Sequence, residues 1–249
     1  KLKNQYHFMQ RILRKYPNDA SIGNSLKIMN KIFAQLETAD TTEAIRGHEG
    51  YGAATYFSIF KKNIIQDWAA FNGRSKNPPR DNVNAVLSFL YTLLSYRIDS
   101  LILAEGLDNA VGILHNISYG RKSLVFDLME EFRTPIVDTL TCALFNMAIL
   151  KPEDFRTVTV DNQEYDSIES EATETVDTEI PGEFTKAVLL TKDGIKKVVA
   201  QFERKLQDEH KYEPLGKRID YKQIMHEQVK MYKRCLMGME ESYKPVVST

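Results

Sequence analysis

A mainly α-helical fold, a multi-helix domain with one small β-hairpin, is predicted by three features of this 249-residue chain. Apolar residues recur at helical spacing along most of its length. Glycine and proline, 12 and 8 in all, fall mostly where those stretches end. Strict alternation is confined to two short runs, 156–160 (RTVTV) and 186–191 (KAVLLT). The length suits one large domain or two small ones, and residues 1–249 are read as one helical unit.

Residues 1–15 carry Leu2, Tyr6, Met9, Ile12 and Leu13 on one stripe, closed by Pro17-Asn18-Asp19. Residues 20–38 repeat the pattern with Ile22, Leu26, Met29, Ile32, Phe33 and Leu36. Thr41 or Thr42 can cap a third element, a turn into Gly47-His48-Glu49-Gly50 and a helix over 51–68 with Tyr56, Phe57, Phe60, Ile64 and Trp68. The polar run 72–80, with Pro78 and Pro79, is a loop. Asp81 caps a helix over 82–104 whose apolar residues occupy most of its circumference, the signature of a central buried helix, and Gly106 ends it. A short glycine-spaced segment, 107–121, holds His115. Residues 123–149 are apolar and helical, and Pro135, which lacks an N–H, predicts a break near Thr134. The two alternating runs form the hairpin, with 161–183 as a long mobile tip. Helices over 192–208 and 220–240 complete the chain.

Composition excludes several classes. Apolar residues at 43% and charged residues at 27% rule out a wholly disordered chain. Cys142 and Cys235 allow at most one disulfide, which fits a reducing compartment. No run of about 18 uncharged apolar residues marks a membrane span, and Lys1 to Arg14 has no signal-peptide pattern. The net charge of −1 hides an asymmetry. Nine of the 34 acidic residues and none of the 33 basic ones lie in 161–183, so the rest carries an excess of about eight positive charges. A basic body suits a phosphate-rich partner, and the acidic insertion reads as a solvated loop.

Chemistry-bearing side chains are few: Glu49 between Gly47 and Gly50, His115, and Asp127 with Glu130. The last two are three apart on a helix, hence on one face, among Phe126, Leu128 and Met129. Carboxylates in apolar surroundings need cations, hydrogen bonds or a metal. A histidine with two or three carboxylates suits Mg²⁺ or Mn²⁺. Residue types alone favour a core histidine, with Asp127 and Glu130 paired to Arg121 and Arg133.

Four ordered motifs carry a resemblance. The first is Arg46-Gly47-His48-Glu49-Gly50 followed by Ala53-Ala54-Thr55-Tyr56-Phe57. The second runs from Arg74 through Pro78-Pro79, Asp81, Asn84-Ala85 and Leu87-Ser88-Phe89 to Tyr91. Gly106-Leu107-Asp108 with Gly112, Leu114 and His115 is the third, and Ser123 to Arg133 followed by Pro135, Val137 and Asp138 the fourth. With Glu227-Gln228, Lys233-Arg234 and Tyr243-Lys244-Pro245 near the end, the sequence resembles the CRISPR-associated integrase of spacer acquisition, the first-numbered Cas protein, over about 1–155 and 187–246.

The resemblance implies the helical catalytic domain of a metal-dependent DNA integrase and endonuclease. In that family prespacer DNA is joined to the CRISPR repeat array by 3′-hydroxyl transesterification. It implies Glu49, His115 and Glu130 as catalytic ligands of Mg²⁺ or Mn²⁺, and a role behind those ligands or at the DNA end for Asp127. Arg46, Arg74, Lys76, Arg80, Arg121, Lys122 and Arg133 are the cations nearest the motifs, and Arg74, Lys76 and Arg80 lie on a loop from which phosphates are within reach. Arg133 has a second reading, as the partner of a carboxylate. Tyr56 and Tyr91 match tyrosines of the family, either orienting a DNA end or packing in the core. The implied partners are DNA, a second copy of the chain, and the small second-numbered adaptation protein, in a prokaryotic cytoplasm without a membrane. The sequence begins at the helix that comes after the family's β-rich N-terminal domain, a place where a fused reverse transcriptase is another expectation. Two other functions compete: a nuclease of branched DNA, and a DNA-binding scaffold without catalysis.

Overall fold

The computed structural model describes residues 1–75, 78–115, 120–161 and 184–247. The acidic insertion thus lies outside the described residues, apart from the backbone of Asp161, and so does Lys76. The described chain forms eight α-helices and two small antiparallel hairpins.

α1 (Leu2–Lys15), α2 (Ala20–Leu36) and α3 (Thr42–Phe60) form one layer. Side-chain caps fix where two of them start. Asp19 accepts from the Ser21 amide at 3.0 Å, and Thr41 accepts from the Ala44 amide at 3.2 Å. Thr41 sets a longer helix than the sequence predicts: the turn expected at 47–50 is helical, and Glu49 lies in the helix interior. The C-terminal end moves too. The helix expected to reach Trp68 stops at Phe60, and Trp68 packs on Phe145 and Phe155 with ring centroids 5.5 and 6.0 Å away. That packing fills the same core from a loop, so helical periodicity did not distinguish the two.

α4 (Asn82–Ala104) is the central element, capped by Asp81 and closed by Gly106 at φ +71°. Val83, Val86, Leu87, Leu90, Leu94, Ile98 and Ile102 are fully buried. Among the described residues α4 alone is long and apolar enough to cross a membrane, and here half of its most apolar stretch is covered by the protein itself.

α5 (Ser123–Phe132) runs into a wide π-helical turn, Arg133–Asp138, and resumes as α6 (Thr139–Asn146). Pro135 supplies the cause, since it cannot donate to the helical ladder. β1 (Phe155–Asp161) pairs with β2 (Phe184–Leu190), Val158 opposite Ala187, and the Val188 amide bonds the Pro79 carbonyl at 2.8 Å. That bond ties the hairpin to the loop ahead of α4. α7 (Lys192–Lys205) comes next, then a second hairpin that the sequence reading left unassigned, β3 (Glu209–Tyr212) with β4 (Lys217–Asp220). Its strands are four residues each and turn at Gly216, φ +63°, too short for an alternation signal. Asp220 caps α8 (Tyr221–Leu236), and residues 240–247 return across α5 and α1. Cys142 and Cys235 are both free thiols.

Candidate functional site

The site forms where α3, α5, the 112–115 segment and the N-terminal end of α1 meet. Two glycines bare the α3 backbone on either side of Glu49: at Gly47 and Gly50 an added Cβ meets open space. Further along, a Cβ on Gly52 would lie 2.7 Å from Leu2 Cδ2, so glycine there permits α1 to approach α3.

Glu49 and Glu130 converge on one cation. The Lys1 ammonium contacts Glu49 Oε1 and lies 3.1 Å from Glu130 Oε2. Arg133 Nη2 stands 3.1 Å from the other oxygen, Glu130 Oε1. Burial by itself would raise the pKa of Glu130, which is only 8% exposed. Arg133 and Lys1 outweigh it and hold the carboxyl at about 2, so it stays ionised.

His115 is positioned from behind. Its Nδ1 lies 2.5 Å from Asp127 Oδ1. Asp127 also accepts from the successive backbone amides of Ile113, Leu114 and His115, at 2.5, 3.1 and 3.2 Å. Arg46 completes the clamp by donating its Nε to the Leu114 carbonyl at 2.9 Å. Gly112 makes the turn possible. A Cβ there would lie 2.8 Å from both Asp127 Oδ2 and the Ser123 backbone. An Nδ1–H donated to a carboxylate leaves the lone pair on Nε2, the arrangement found behind metal-binding histidines.

Lys1, Glu49, Ile113, Leu114, Asp127 and Glu130 line one cavity of about 720 Å³, whose other walls are mainly apolar. Both Glu130 oxygens are buried without a hydrogen bond. Two carboxylates that draw in an ammonium, one of them with buried oxygens met only by cations, fit a divalent ion. The three residues do not close into a ligand cluster: among the described residues no group of three or more His, Cys, Asp or Glu side chains stands at metal-binding spacing. Glu49 and Glu130 share their cation, while His115 is turned to Asp127.

The cations near the motifs divide into two groups. Arg46 and Arg74 face inward. Arg74 donates to Ser75 O at 2.5 Å, Asn84 Oδ1 at 2.8 Å and Ser88 Oγ at 3.0 Å, and burial lowers its guanidinium to about 10. That is a correction to its reading as a loop cation aimed at phosphate: Asn84, fully buried, gathers the loop and Arg74 around itself. Arg133 is bound to Glu130 in the same inward manner. Lys122 pairs with Asp99 at 3.1 Å, Arg121 lies over the Phe126 ring at 5.7 Å, and Arg80 is exposed. Tyr56 and Tyr91 donate to Asp138, at 2.9 and 2.5 Å.

Sequence reading missed a second polar centre. Glu131, beside Glu130, accepts from Gln228 Nε2 at 3.0 Å, from the Tyr243 hydroxyl and from the Val246 amide. Gln228 also accepts from Tyr212 at 2.7 Å. The three donors to Glu131 lie 97 to 115 residues away in sequence, beyond any local pattern.

The fold and these side chains define a helical protein with two carboxylates converging at one cavity and a histidine–aspartate couple whose Asp127 lines it. The family model for CRISPR associated protein Cas1 matches residues 1–161, and the chain belongs to that family. CRISPR-associated endonuclease Cas1 1 of Chlorobaculum tepidum is 33% identical over 253 residues, covering 99% of this chain and 66% of the relative. CRISPR-associated endonuclease Cas1 of Leptospira interrogans is 41% identical over 160 residues, covering 62% of this chain and 63% of that protein. The chain thus spans less than two thirds of these curated relatives. Among solved structures, a casposase bound to integration product superposes with a TM-score of 0.74 at 22% identity, over 100% of this chain and 66% of that one. A partial Cas6-RT-Cas1–Cas2 complex gives 0.77 at 20%, with the same coverage. At such identities the likeness is one of fold.

Proposed function

We propose that this chain is the helical catalytic part of a divalent-metal-dependent DNA integrase and endonuclease of CRISPR adaptation. The observation that carries the reading is the convergence of Glu49 and Glu130 on one cation beside the Asp127-oriented His115, in a chain of this family. In the reaction, the 3′-hydroxyl of a prespacer attacks a phosphodiester of the repeat, a new phosphodiester forms and the repeat's own 3′-oxygen leaves. Glu49, Glu130 and His115 would hold Mg²⁺ or Mn²⁺, which supplies Lewis-acid stabilisation of the charge on the phosphate.

The chain's residues do the rest. Arg133 keeps Glu130 ionised. Asp127 and Arg46 fix the segment that presents His115. The partners we propose are prespacer and repeat DNA, a second copy of the chain, and the small Cas2-type protein, in a prokaryotic cytoplasm. The structural neighbour containing Cas6, RT, Cas1 and Cas2 supports a reverse-transcriptase fusion as the setting of such a chain. Residues 1–249 then act as one helical domain, with 161–183 as its acidic insertion.

A strand-joining assay tests this. A labelled prespacer with free 3′-hydroxyls, a repeat-bearing plasmid, the Cas2-type partner and Mn²⁺ are combined with the complete protein or with Glu49→Ala, His115→Ala or Glu130→Ala. Joining by the unchanged protein, lost in each variant and on EDTA addition while DNA binding persists, is the expected result. Joining by the variants at the unchanged rate would refute the metal site. Cleavage without joining would favour the nuclease, and metal-independent DNA binding alone the scaffold.

A further inference from the structure

Behind Glu130 lies a support that its spacing with His115 and Glu49 does not disclose. Arg133 Cζ lies over the Tyr91 ring, 5.3 Å from its centroid, and Arg74 Cζ lies over the same ring at 5.5 Å. The Tyr91 hydroxyl is anchored on Asp138, which also takes the hydroxyl of Tyr56. Arg74 is itself pinned by Asn84 and Ser88. Arg133 and Asp138 are the two ends of the π-helical turn, so one backbone irregularity supplies both the cation and the anchor. Arg133 Nε is buried with no hydrogen-bond partner. Hydrogen bonding at Nε therefore does not set the place of this guanidinium. The ring on one contact and Glu130 on the other set it.

We propose that Arg133, held by the Tyr91 ring and through it by Asp138 and Arg74, is a positioning residue for the metal centre: it holds Glu130 Oε1 so that Oε2 faces Glu49. This rests on the metal reading of the site. It makes a prediction whose sign opposes simple electrostatics. Removing a positive charge beside a cation site should tighten cation binding by Coulomb's law. Releasing a ligand from its support should weaken it, by about 10- to 100-fold for the partners that stand behind metal ligands.

The experiment is a titration of Mn²⁺ into the complete protein without DNA, followed by loss of the free-ion EPR signal. The proteins compared are the unchanged one, Arg133→Met, Arg133→Lys, Tyr91→Phe and Glu49→Gln, each checked by thermal unfolding. Arg133→Met is expected to bind about tenfold or more weakly. Arg133→Lys restores the charge but not the planar fork, and is expected to recover only part of that loss. Tyr91→Phe, which keeps the ring and frees it from Asp138, should weaken binding a few-fold. Should Arg133→Met fail to fold, Arg133→Lys and Tyr91→Phe carry the same test. Mn²⁺ binding by the Arg133 variants at unchanged or higher affinity, with Glu49→Gln still losing the ion, overturns the positioning role and leaves the metal reading standing. Binding that survives Glu49→Gln unchanged overturns both.

Discussion

Glu130 and Glu131 are neighbours on one helix, both buried, and they answer burial in opposite ways. Glu130 faces cations. Arg133 and Lys1 overcome its desolvation, and its carboxyl is held at about 2. Glu131 faces neutral donors from Gln228, Tyr243 and the Val246 amide. These only moderate the cost of burial, which pushes its carboxyl up to about 7. One residue is kept ionised where a cation site needs an anion, and the other fastens the C-terminal segment to α5. What separates them is which elements lie across from each side chain, since helix, sequence context and residue type are the same.

The contrast is sharpest in activity. Glu130→Gln should lower strand joining by on the order of a thousandfold, as befits several kcal/mol of lost charge stabilisation. Glu131→Gln should stay within a few-fold of the unchanged rate in the same assay. Equal losses would mean that the two carboxylates serve one site and would break the comparison.

Stability comes next. Gln228→Ala removes the acceptor of the Tyr212 hydroxyl and a donor to Glu131. Leaving buried polar groups unpaired predicts a loss of about 2–3 kcal/mol, read by urea unfolding. A third test uses pH. Because the folded carboxyl of Glu131 is raised above its unfolded value, its contribution is fully present below about 4.5 and is lost as pH rises through about 7. Glu130 has the reverse sign, its contribution present above about 4.5 and lost as pH falls toward 2. Unfolding free energy of the unchanged protein minus that of Glu131→Gln should therefore fall between pH 4.5 and 7. A flat difference would show that Glu131 is not raised. The smallest effect belongs to the surface. Lys196→Ala breaks the exposed pair with Asp193, and should change stability by less than about 0.5 kcal/mol.

Local chemistry was strong enough for the sequence to specify much of this molecule. The cap at Asp81 and the stop at Gly106 bound α4 because capping and left-handed backbone are properties of one residue. Pro135 announces its break for the same reason, a missing N–H. The β1–β2 hairpin was legible from seven-residue strands, whereas β3–β4, with four-residue strands, left no period to read. Glu49, His115, Asp127 and Glu130 stood out through motifs whose order is a property of the chain.

Tertiary structure decided what each of those side chains meets. Sequence put Arg74 on a loop, and the fold turned it inward onto Asn84 and Tyr91. Sequence placed Asp127 and Glu130 on one helix face, and the fold gave Asp127 the His115 segment and Glu130 the cations of Lys1 and Arg133. Glu131 had no signal at all, because Gln228 and Val246 reach it only through the packing of α8 and the last residues against α5. Caps, breaks and periods are local and are written into neighbouring residues. A carboxylate's charge is fixed by the groups that replace its water, and only the folded chain chooses those.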